Sequence, residues 1–527
     1  MVGTPGDSKV NLDLDNNRQP PMPGDEKENG SQKNDNVDLE KASNHSVNPV
    51  SPDDGSEAST PADPNIVTWD GPDDPENPMN WPRTKKIVNV STVSLITFLT
   101  PLASSMFAPG VPEVMEDFKS TNLELSSFVV SVYLLGYAFG PLIIAPCSEM
   151  YGRMPVYHTC NVLFVVFTVA CAVATDLDSL IVFRFFEGIA GSSPLTIGAG
   201  TLADMIAQEK RGAAMAAWAL GPLLGPVVGP VAGGYLTEAA GWRWTFWVLA
   251  IAGGVVTFMT AIFMRESYAP TLLKRKTNRM IKETGNQDLK SALDSGLSPK
   301  DLFKHSIVRP TKMLIFSPIV LILSLFVAIV YGYLYLLFTT ITMVFEGEYN
   351  FDQGSVGLTY LGIGIGSLLG LFILGSVSDR ILKRMTAKHG VAKPEFRLPP
   401  LIPGAVCVPI GLFWYGWTAE THQHYILPIA GTLFVGIGMI TSFMTISTYL
   451  VDAYTIHAAS AMAANTVLRS LIGALLPLAG RSMYAALGLG WGNSLLAFIA
   501  LAMVPLAALI FMYGERIRTS KRFEVQF

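Results

Sequence analysis

Residues 219–236, ALGPLLGPVVGPVAGGYL, contain no charged side chain and repeat a glycine–proline pair every four residues. The repeat is formed by Gly221, Pro222, Gly225, Pro226, Gly229, Pro230, Gly233 and Gly234. In a helix, this spacing places one glycine per turn on a single face, where a neighbouring helix can approach closely. A proline costs about 3 kcal/mol inside a soluble helix, but membrane helices tolerate it because neighbouring groups satisfy the freed carbonyls. The stretch predicts a closely packed, bent membrane helix, with plain small-residue packing as the alternative.

The rest of the chain has the composition of a membrane protein. Its 527 residues are 50% hydrophobic and 15% charged, and the mean hydropathy is +0.37. Apolar runs recur that match the ~20 residues an α-helix needs to cross a bilayer. Twelve spans are predicted, at 87–108, 126–147, 156–175, 179–203, 213–236, 244–264, 315–341, 354–376, 400–417, 425–450, 460–486 and 493–513. The predicted fold class is an all-α membrane protein, because a β-barrel would show alternating segments of about ten residues.

Charge divides the chain into a tail and a body. Residues 1–80 hold 17 Asp/Glu and 5 Lys/Arg, while the remainder holds 25 acidic and 32 basic residues. The tail has few large apolar residues, so it is predicted to be disordered. It lacks the basic and apolar regions of a cleavable signal peptide. The four cysteines have no metal-binding or disulfide spacing, so no metal site is predicted.

Lysine and arginine predict the orientation and the domains. They concentrate in three regions, which are segment 265–314 between spans 6 and 7, the loop between spans 8 and 9, and the segment after span 12. This distribution places both termini in the cytoplasm. The predicted divisions are a tail at 1–80, six-helix bundles at 81–264 and 315–513, a cytoplasmic linker at 265–314 and a C-terminal tail at 514–527. Two bundles of six helices are typical of a transporter with its site at their interface. A channel or a membrane enzyme shares the span count, so the motifs decide.

Two loops at corresponding places in the two halves carry related motifs. The first is GPLIIAPCSEMYGRMPVY (140–157), and the second is GLFILGSVSDRILKR (370–384). Their candidate residues are Gly140, Glu149, Gly152, Arg153, Asp379, Arg380 and Arg384. Gly152 permits a tight turn, and Arg153 can pair with a carboxylate or with carbonyls at a helix C-terminus. The loops are predicted to form a cytoplasmic latch, with plain turns carrying positive anchors as the alternative.

Charged and aromatic residues inside the spans mark candidate sites. Arg184 and Glu187 lie three residues apart in span 4, close enough to interact, and an ionisable residue in a span indicates function by default. The alternative is that Arg184 extends to the outer interface. A substrate cavity is predicted from four residues of spans 7 and 11, namely Tyr331, Tyr335, Asn465 and Arg469. For Asn465 and Arg469, an interhelical structural bond is the alternative.

Several of these stretches resemble motifs of the major facilitator superfamily. The opening stretch resembles its fifth-span antiporter motif, G-x-x-x-G-P-x-x-G-G, and loop 140–157 resembles its cytoplasmic loop signature, with Glu149 where Asp is frequent. RFFEG (184–188) resembles its R-x-x-q-G motif. WDGPDDPENPMNWPRTKK (69–86) and ESYAPTLLKRK (266–276) are similar to segments of fungal twelve-span drug:proton antiporters. The resemblance implies two six-helix bundles, proton coupling at Arg184 and Glu187, and a latch at the two loops.

The function that the resemblance implies is proton-coupled export of a small organic molecule by alternating access at the plasma membrane. The substrate would be a secondary metabolite, a toxin or a drug. A proton gradient would supply the energy, so no cofactor is expected. The expected partners are the substrate, protons and the bilayer, with no nucleic acid, and the protein is expected to be a monomer. No nucleophile-and-base constellation or phosphate-binding loop predicts an enzyme or a primary pump. The alternatives are a polyamine or organic-acid exporter, a proton-coupled uptake permease and a transport-incompetent receptor.

Overall fold

The computed structural model describes residues 65–207, 212–294, 299–390, 393–454 and 458–519, and these are mainly helical. The first bundle contains α1 (Arg83–Met106), α2 (Val111–Asp117), α3 (Leu123–Tyr151), α4 (Arg153–Ala172), α5 (Leu177–Gly191), α6 (Ser193–Met205), α7 (Gly212–Ala240) and α8 (Arg243–Phe263). The linker contains α9 (Ala269–Thr284) and α10 (Pro299–Phe316). The second bundle contains α11 (Pro318–Gly347), α12 (Gln353–Thr359), α13 (Leu361–His389), α14 (Leu401–Glu420), α15 (Ile426–Tyr454), α16 (Ala458–Leu475) and α17 (Leu478–Arg518). Two short strands, β1 (Ile66–Val67) and β2 (Lys290–Ser291), pair in parallel.

The described chain has eleven helical segments that are long and apolar enough to cross a membrane. The predicted span at 460–486 is not among these eleven; the chain forms α16 and the start of α17 there. Its first part is α16, which ends at Leu475, and Pro477 then precedes the start of α17. Within α17, Gly488 has a φ of 75°, which interrupts the helical geometry before the last predicted span begins. The all-helical membrane fold is confirmed, and α16 with the start of α17 occupies the place of the remaining predicted span.

One face of α7 forms the close helix contact that its glycines predict. A Cβ added to Gly221 would lie 2.7 Å from the backbone nitrogen of Phe98 on α1, and one added to Gly225 would lie 2.8 Å from that of Leu102. The next two glycines of the repeat continue the contact towards the end of α1. Any side chain on this face would push the helices apart, so the glycines set the spacing of α1 and α7. The helix remains unbroken through its three prolines.

An adjacent face of α7 contacts the second bundle. The prolines and Gly234 each follow a glycine of the repeat, so they form a neighbouring row on the helix. A Cβ on Gly357 of α12 would lie 2.7 Å from the carbonyl oxygen of Pro230, and Gly234 abuts the backbone of Gln353. Residues 219–236 of α7 therefore pack against α1 of the first bundle on one helix face and against α12 of the second bundle on the adjacent face.

Residues 65–80, which the sequence places in the tail, are folded against the linker. β1 pairs with β2, and the Lys276 amine of α9 lies 2.7 Å from the Asp70 carboxylate and 3.3 Å from that of Asp74. The amides of Asp70 and Glu76 also donate to Asp74, and these bonds together with Lys276 lower the pKa of Asp74 although burial opposes the shift. The folded region therefore begins before the predicted boundary at residue 80. Residues 1–64 lie outside the described part of the chain.

Packing around α11 forms the core of the second bundle, and the first bundle has two smaller cores. Most side chains of α11 are buried. One core of the first bundle includes Tyr133 and Tyr157, and the other includes Phe107 and Trp242. The linker helix α10 packs against α3 of the first bundle and α16 of the second. These contacts fix the helices that carry the buried polar residues described next.

Candidate functional site

The first bundle encloses an ion pair. Arg184 and Glu187 of α5 are both fully buried, and Nη1 of Arg184 lies 3.3 Å from Oε2 of Glu187. Their spacing of three residues places both side chains on one face of α5. The Thr168 hydroxyl on α4 donates to the other carboxylate oxygen of Glu187 at 3.0 Å. The interaction that the sequence allows is therefore present, and Arg184 does not extend to the outer interface.

The guanidinium of Arg184 also holds the end of α1. Nη1 donates to the carbonyl of Ala103 at 3.0 Å, and Nη2 donates to that of Ser104 at 3.3 Å. Both carbonyls belong to the last turn of α1, where helical N–H partners run out and a positive charge is favourable. The Tyr133 ring lies 4.8 Å from the guanidinium carbon, which adds a cation–π contact. The buried pair thus links α1, α4 and α5.

A hydrogen bond connects this cluster to the second bundle. The hydroxyl of Ser104 lies 2.8 Å from the hydroxyl of Tyr335 on α11, and both residues are buried. Tyr331, one turn earlier, packs against Tyr335 with ring centroids 5.2 Å apart. Tyr333 faces the other way and donates to the carbonyl of Leu496. Tyr331 and Tyr335, the two tyrosines predicted for the substrate cavity, therefore lie on one face of α11.

Asn465 and Arg469 form a second polar cluster, in the second bundle. They lie one turn apart on α16, and both are buried. The guanidinium carbon of Arg469 is 4.8 Å from the Tyr331 ring centroid and 4.9 Å from that of Phe443 on α15. Tyr331 therefore contacts both Tyr335 and Arg469. The four residues predicted for a substrate cavity fall into two pairs, which Tyr331 brings together.

Arg153 lies in a network of charges at the start of α4. Its Nε lies 3.1 Å from the carboxylate of Asp204 at the end of α6, and Nη1 donates to the Ser148 hydroxyl at 2.8 Å. The Glu266 carboxylate accepts from the backbone amide of Arg153 at 2.9 Å. Gly152 has a φ of 95°, and a Cβ there would lie 2.5 Å from the Glu266 carboxylate, so glycine is required on both counts.

The carboxylates that hold this network, Asp204 and Glu266, are not among the residues predicted from the sequence. Asp204 comes directly after the predicted span 179–203, and Glu266 comes two residues after the span 244–264, so their position at the predicted cytoplasmic side is the signal that the sequence offers. Glu149 is exposed and lies within electrostatic range of Arg153 and Arg309. Gly140 has a packing role, since a Cβ there would lie 2.8 Å from the carbonyl oxygen of Ile189 on α5.

The second bundle repeats this ion-pair arrangement with different residues. Arg397 lies 2.7 Å from the carboxylate of Asp379 on α13 and 3.0 Å from that of Asp452 at the end of α15. Burial opposes ionisation of Arg397, but the hydrogen bonds to the two carboxylates raise its pKa. The partner of Asp379 is therefore Arg397, which is not among the latch residues predicted from the sequence. Arg380 and Arg384 are exposed.

Two helical bundles joined by a linker, with buried polar residues where they meet, define a membrane transporter of the two-bundle type. The family model of the Major Facilitator Superfamily matches residues 93–477. The MFS-type transporter penM of Penicillium rubens is 64% identical over 91% of this chain and 95% of its own length. The efflux pump radE of Floropilus chiversii is 51% identical over 88% of this chain and 87% of its own length. A crystal structure of a D-xylose-proton symporter matches with a TM-score of 0.61 and 17% identity, covering 81% of this chain and 97% of the symporter.

This chain belongs to the Major Facilitator Superfamily. It is a multi-pass membrane transporter and not an enzyme. Within the described residues, no group of three or more His, Cys, Asp or Glu side chains could hold a metal ion.

Proposed function

We propose that this protein exports a small organic molecule, of the secondary-metabolite, toxin or drug class, in exchange for protons. The observation that carries the proposal is the contact chain from Glu187 through Arg184 and Ser104 to Tyr335. A proton added to Glu187 would remove the negative charge that balances Arg184. Because Arg184 holds the last turn of α1, and Ser104 of that turn contacts the second bundle, the proton would alter the contact between the bundles.

Alternating access supplies the mechanism that turns this coupling into transport. The bundles rock about a central site, and Glu187 binds a proton in one conformation and releases it in the other. Transport of one elementary charge across 100 mV supplies about 2.3 kcal/mol, so a single proton already drives useful work. The route of the proton to Glu187 opens with the conformational change, since both members of the pair are enclosed in the structure.

The two bundles contact each other through α7 and α12 and through α3 and α16. The α7–α12 contact at Pro230 and Gly357 lies towards the predicted outer side. We place both termini in the cytoplasm on the distribution of Lys and Arg, and we propose that the protein acts as a monomer in the plasma membrane.

Two observations favour export over the alternatives. The relatives include a protein named as an efflux pump, and α7 carries the full glycine–proline repeat in close contact with α1. A polyamine would need free carboxylates near the centre, whereas Glu187 is engaged by Arg184 and the other central charge, Arg469, is positive. An organic acid remains compatible with that charge.

The test is transport by the purified full chain in liposomes with an imposed proton gradient. Export predicts that substrate moves against the direction of proton flow and stops when a protonophore collapses the gradient. Movement of substrate in the same direction as protons would establish an uptake permease. Transport that is indifferent to the gradient would contradict proton coupling.

A further inference from the structure

The polar cluster on α16 contains donors and acceptors without partners. Both amide atoms of Asn465 and the Nε of Arg469 have no hydrogen-bond partner among the described residues. Asn465 is fully buried, and Arg469 is 9% exposed. Buried polar groups in native proteins are nearly always hydrogen-bonded, because leaving one unpaired costs free energy. Two unpaired polar side chains on one face of α16 therefore indicate a position that a ligand completes.

The cluster also carries an unbalanced positive charge. Arg184 is matched by Glu187, but none of the ion pairs formed by the described residues includes Arg469. A buried guanidinium without a counter-ion favours an anionic partner strongly, because the surrounding medium screens charge poorly. The ligand expected from charge alone is an anion.

The aromatic side chains beside Arg469 favour a ligand of a particular shape. The rings of Tyr331 and Phe443 both lie within cation–π distance of the guanidinium of Arg469. The same two rings line a small cavity together with Ser442, whose hydroxyl also has no partner among the described residues. The cavity has a volume of about 10 Å³, so it is nearly closed in this conformation and would have to widen to admit a guest. Flat aromatic walls beside a planar cation suit a flat, conjugated molecule.

We propose that Arg469 and Asn465 form a subsite for an acidic oxygen of the exported molecule. The group would be a carboxylate, or an ionised enol or phenol, attached to a flat ring. Arg469 would donate two parallel hydrogen bonds to the anion, and the Asn465 amide would donate a third. The aromatic rings would hold the conjugated part of the molecule. This inference rests on the proposed export function and specifies its substrate class.

The test compares two dyes that share a xanthene ring but differ in charge. Fluorescein carries a free carboxylate and an acidic phenol, whereas rhodamine 6G is an ester and a cation. Binding of each dye to the purified full chain in detergent is followed by fluorescence anisotropy without any proton gradient. The variants are Arg469→Met, Arg469→Lys, which keeps the charge without the planar fork, and Arg481→Met as a control for loss of another arginine in the same predicted span.

The expected result is that the unmodified protein and Arg481→Met bind fluorescein more tightly than rhodamine 6G. Arg469→Met should weaken fluorescein binding by about tenfold or more while leaving rhodamine 6G binding unchanged, and Arg469→Lys should retain part of the affinity. Absence of fluorescein binding up to about 1 mM, or an equal effect of Arg469→Met on both dyes, would overturn the subsite. Because no gradient is used, a failure of proton coupling leaves this result intact. Export of neutral compounds without fluorescein binding would remove the subsite and keep the exporter.

Discussion

The hydroxyl of Ser104 lies 2.8 Å from that of Tyr335, so one hydrogen bond joins α1 of the first bundle to α11 of the second. The carbonyl of the same serine accepts from Arg184 at 3.3 Å. A single residue therefore contacts both the buried ion pair and the opposite bundle. This places the charge of Glu187 two contacts away from the interface that must open during transport.

Removing the Tyr335 hydroxyl should favour separation of the bundles. A hydrogen bond contributes about 0.5–1.5 kcal/mol net, so Tyr335→Phe should shift the conformational equilibrium by about two- to tenfold. Spin labels on the exposed residues Glu116 and Gln423, one on each bundle, would report the distance distribution. Tyr333→Phe is the matched control, because its hydroxyl bonds within the second bundle. Equal shifts in both variants would show that the Ser104 bond has no special role.

The glycine face of α7 should tolerate no side chain. Gly225→Ala places a methyl group 2.8 Å from the backbone nitrogen of Leu102, which should lower the free energy of unfolding by about 1–3 kcal/mol. Gly254→Ala in α8 is the control, since a Cβ there meets nothing within 4 Å. Thermal unfolding in detergent measures both. A control that loses as much stability as Gly225→Ala would contradict the packing role.

The two cytoplasmic ion pairs should differ in strength. The side chains of Arg153 and Asp204 are 13% and 17% exposed, whereas that of Asp452 is 41% exposed. Arg397, the partner of Asp452, would still be paired with Asp379 if Asp452 lost its charge. Asp204→Asn should therefore cost about 3–5 kcal/mol of the free energy of unfolding, as expected when a buried partner is removed. Asp452→Asn should cost at most about 1 kcal/mol. The same thermal measurement compares them, and similar losses would show that burial does not distinguish the pairs.

Acidification should release residues 65–80 from the linker. The pKa of Asp74 is lowered in the folded protein, so its stabilising effect is complete above its ordinary value of about 3.9 and is lost as the pH falls through the lowered value. Hydrogen exchange of the amides in 69–82 should increase over that range. Asp74→Asn should produce faster exchange already at neutral pH. Asp73→Asn, which alters the exposed neighbour, should not, and a similar effect of both would argue against the Asp74–Lys276 contact.

The sequence best predicts the contacts that depend only on residue spacing within one helix. The repeat in 219–236 predicts which face of α7 packs closely, because four-residue spacing is a local property of a helix. The Arg184–Glu187 contact is predictable for the same reason. The partners of Arg153 and Asp379 are not predictable in this way, because Asp204 and Arg397 belong to other segments that only the folding of a whole bundle brings close. The bounds within the predicted span 460–486 also differ, since Pro477 separates α16 from α17 and Gly488 interrupts α17, which hydropathy does not register.

The central claim is that Glu187 couples protons to export. Glu187→Gln keeps the shape and most hydrogen-bonding capacity of the side chain but cannot change charge, so it tests coupling without removing the contact to Arg184. The measurement is substrate flux through the purified protein in liposomes, once with a proton gradient and once as exchange of labelled for unlabelled substrate without a gradient. The account predicts that Glu187→Gln loses gradient-driven accumulation and retains exchange. Full gradient-driven accumulation by Glu187→Gln would contradict it.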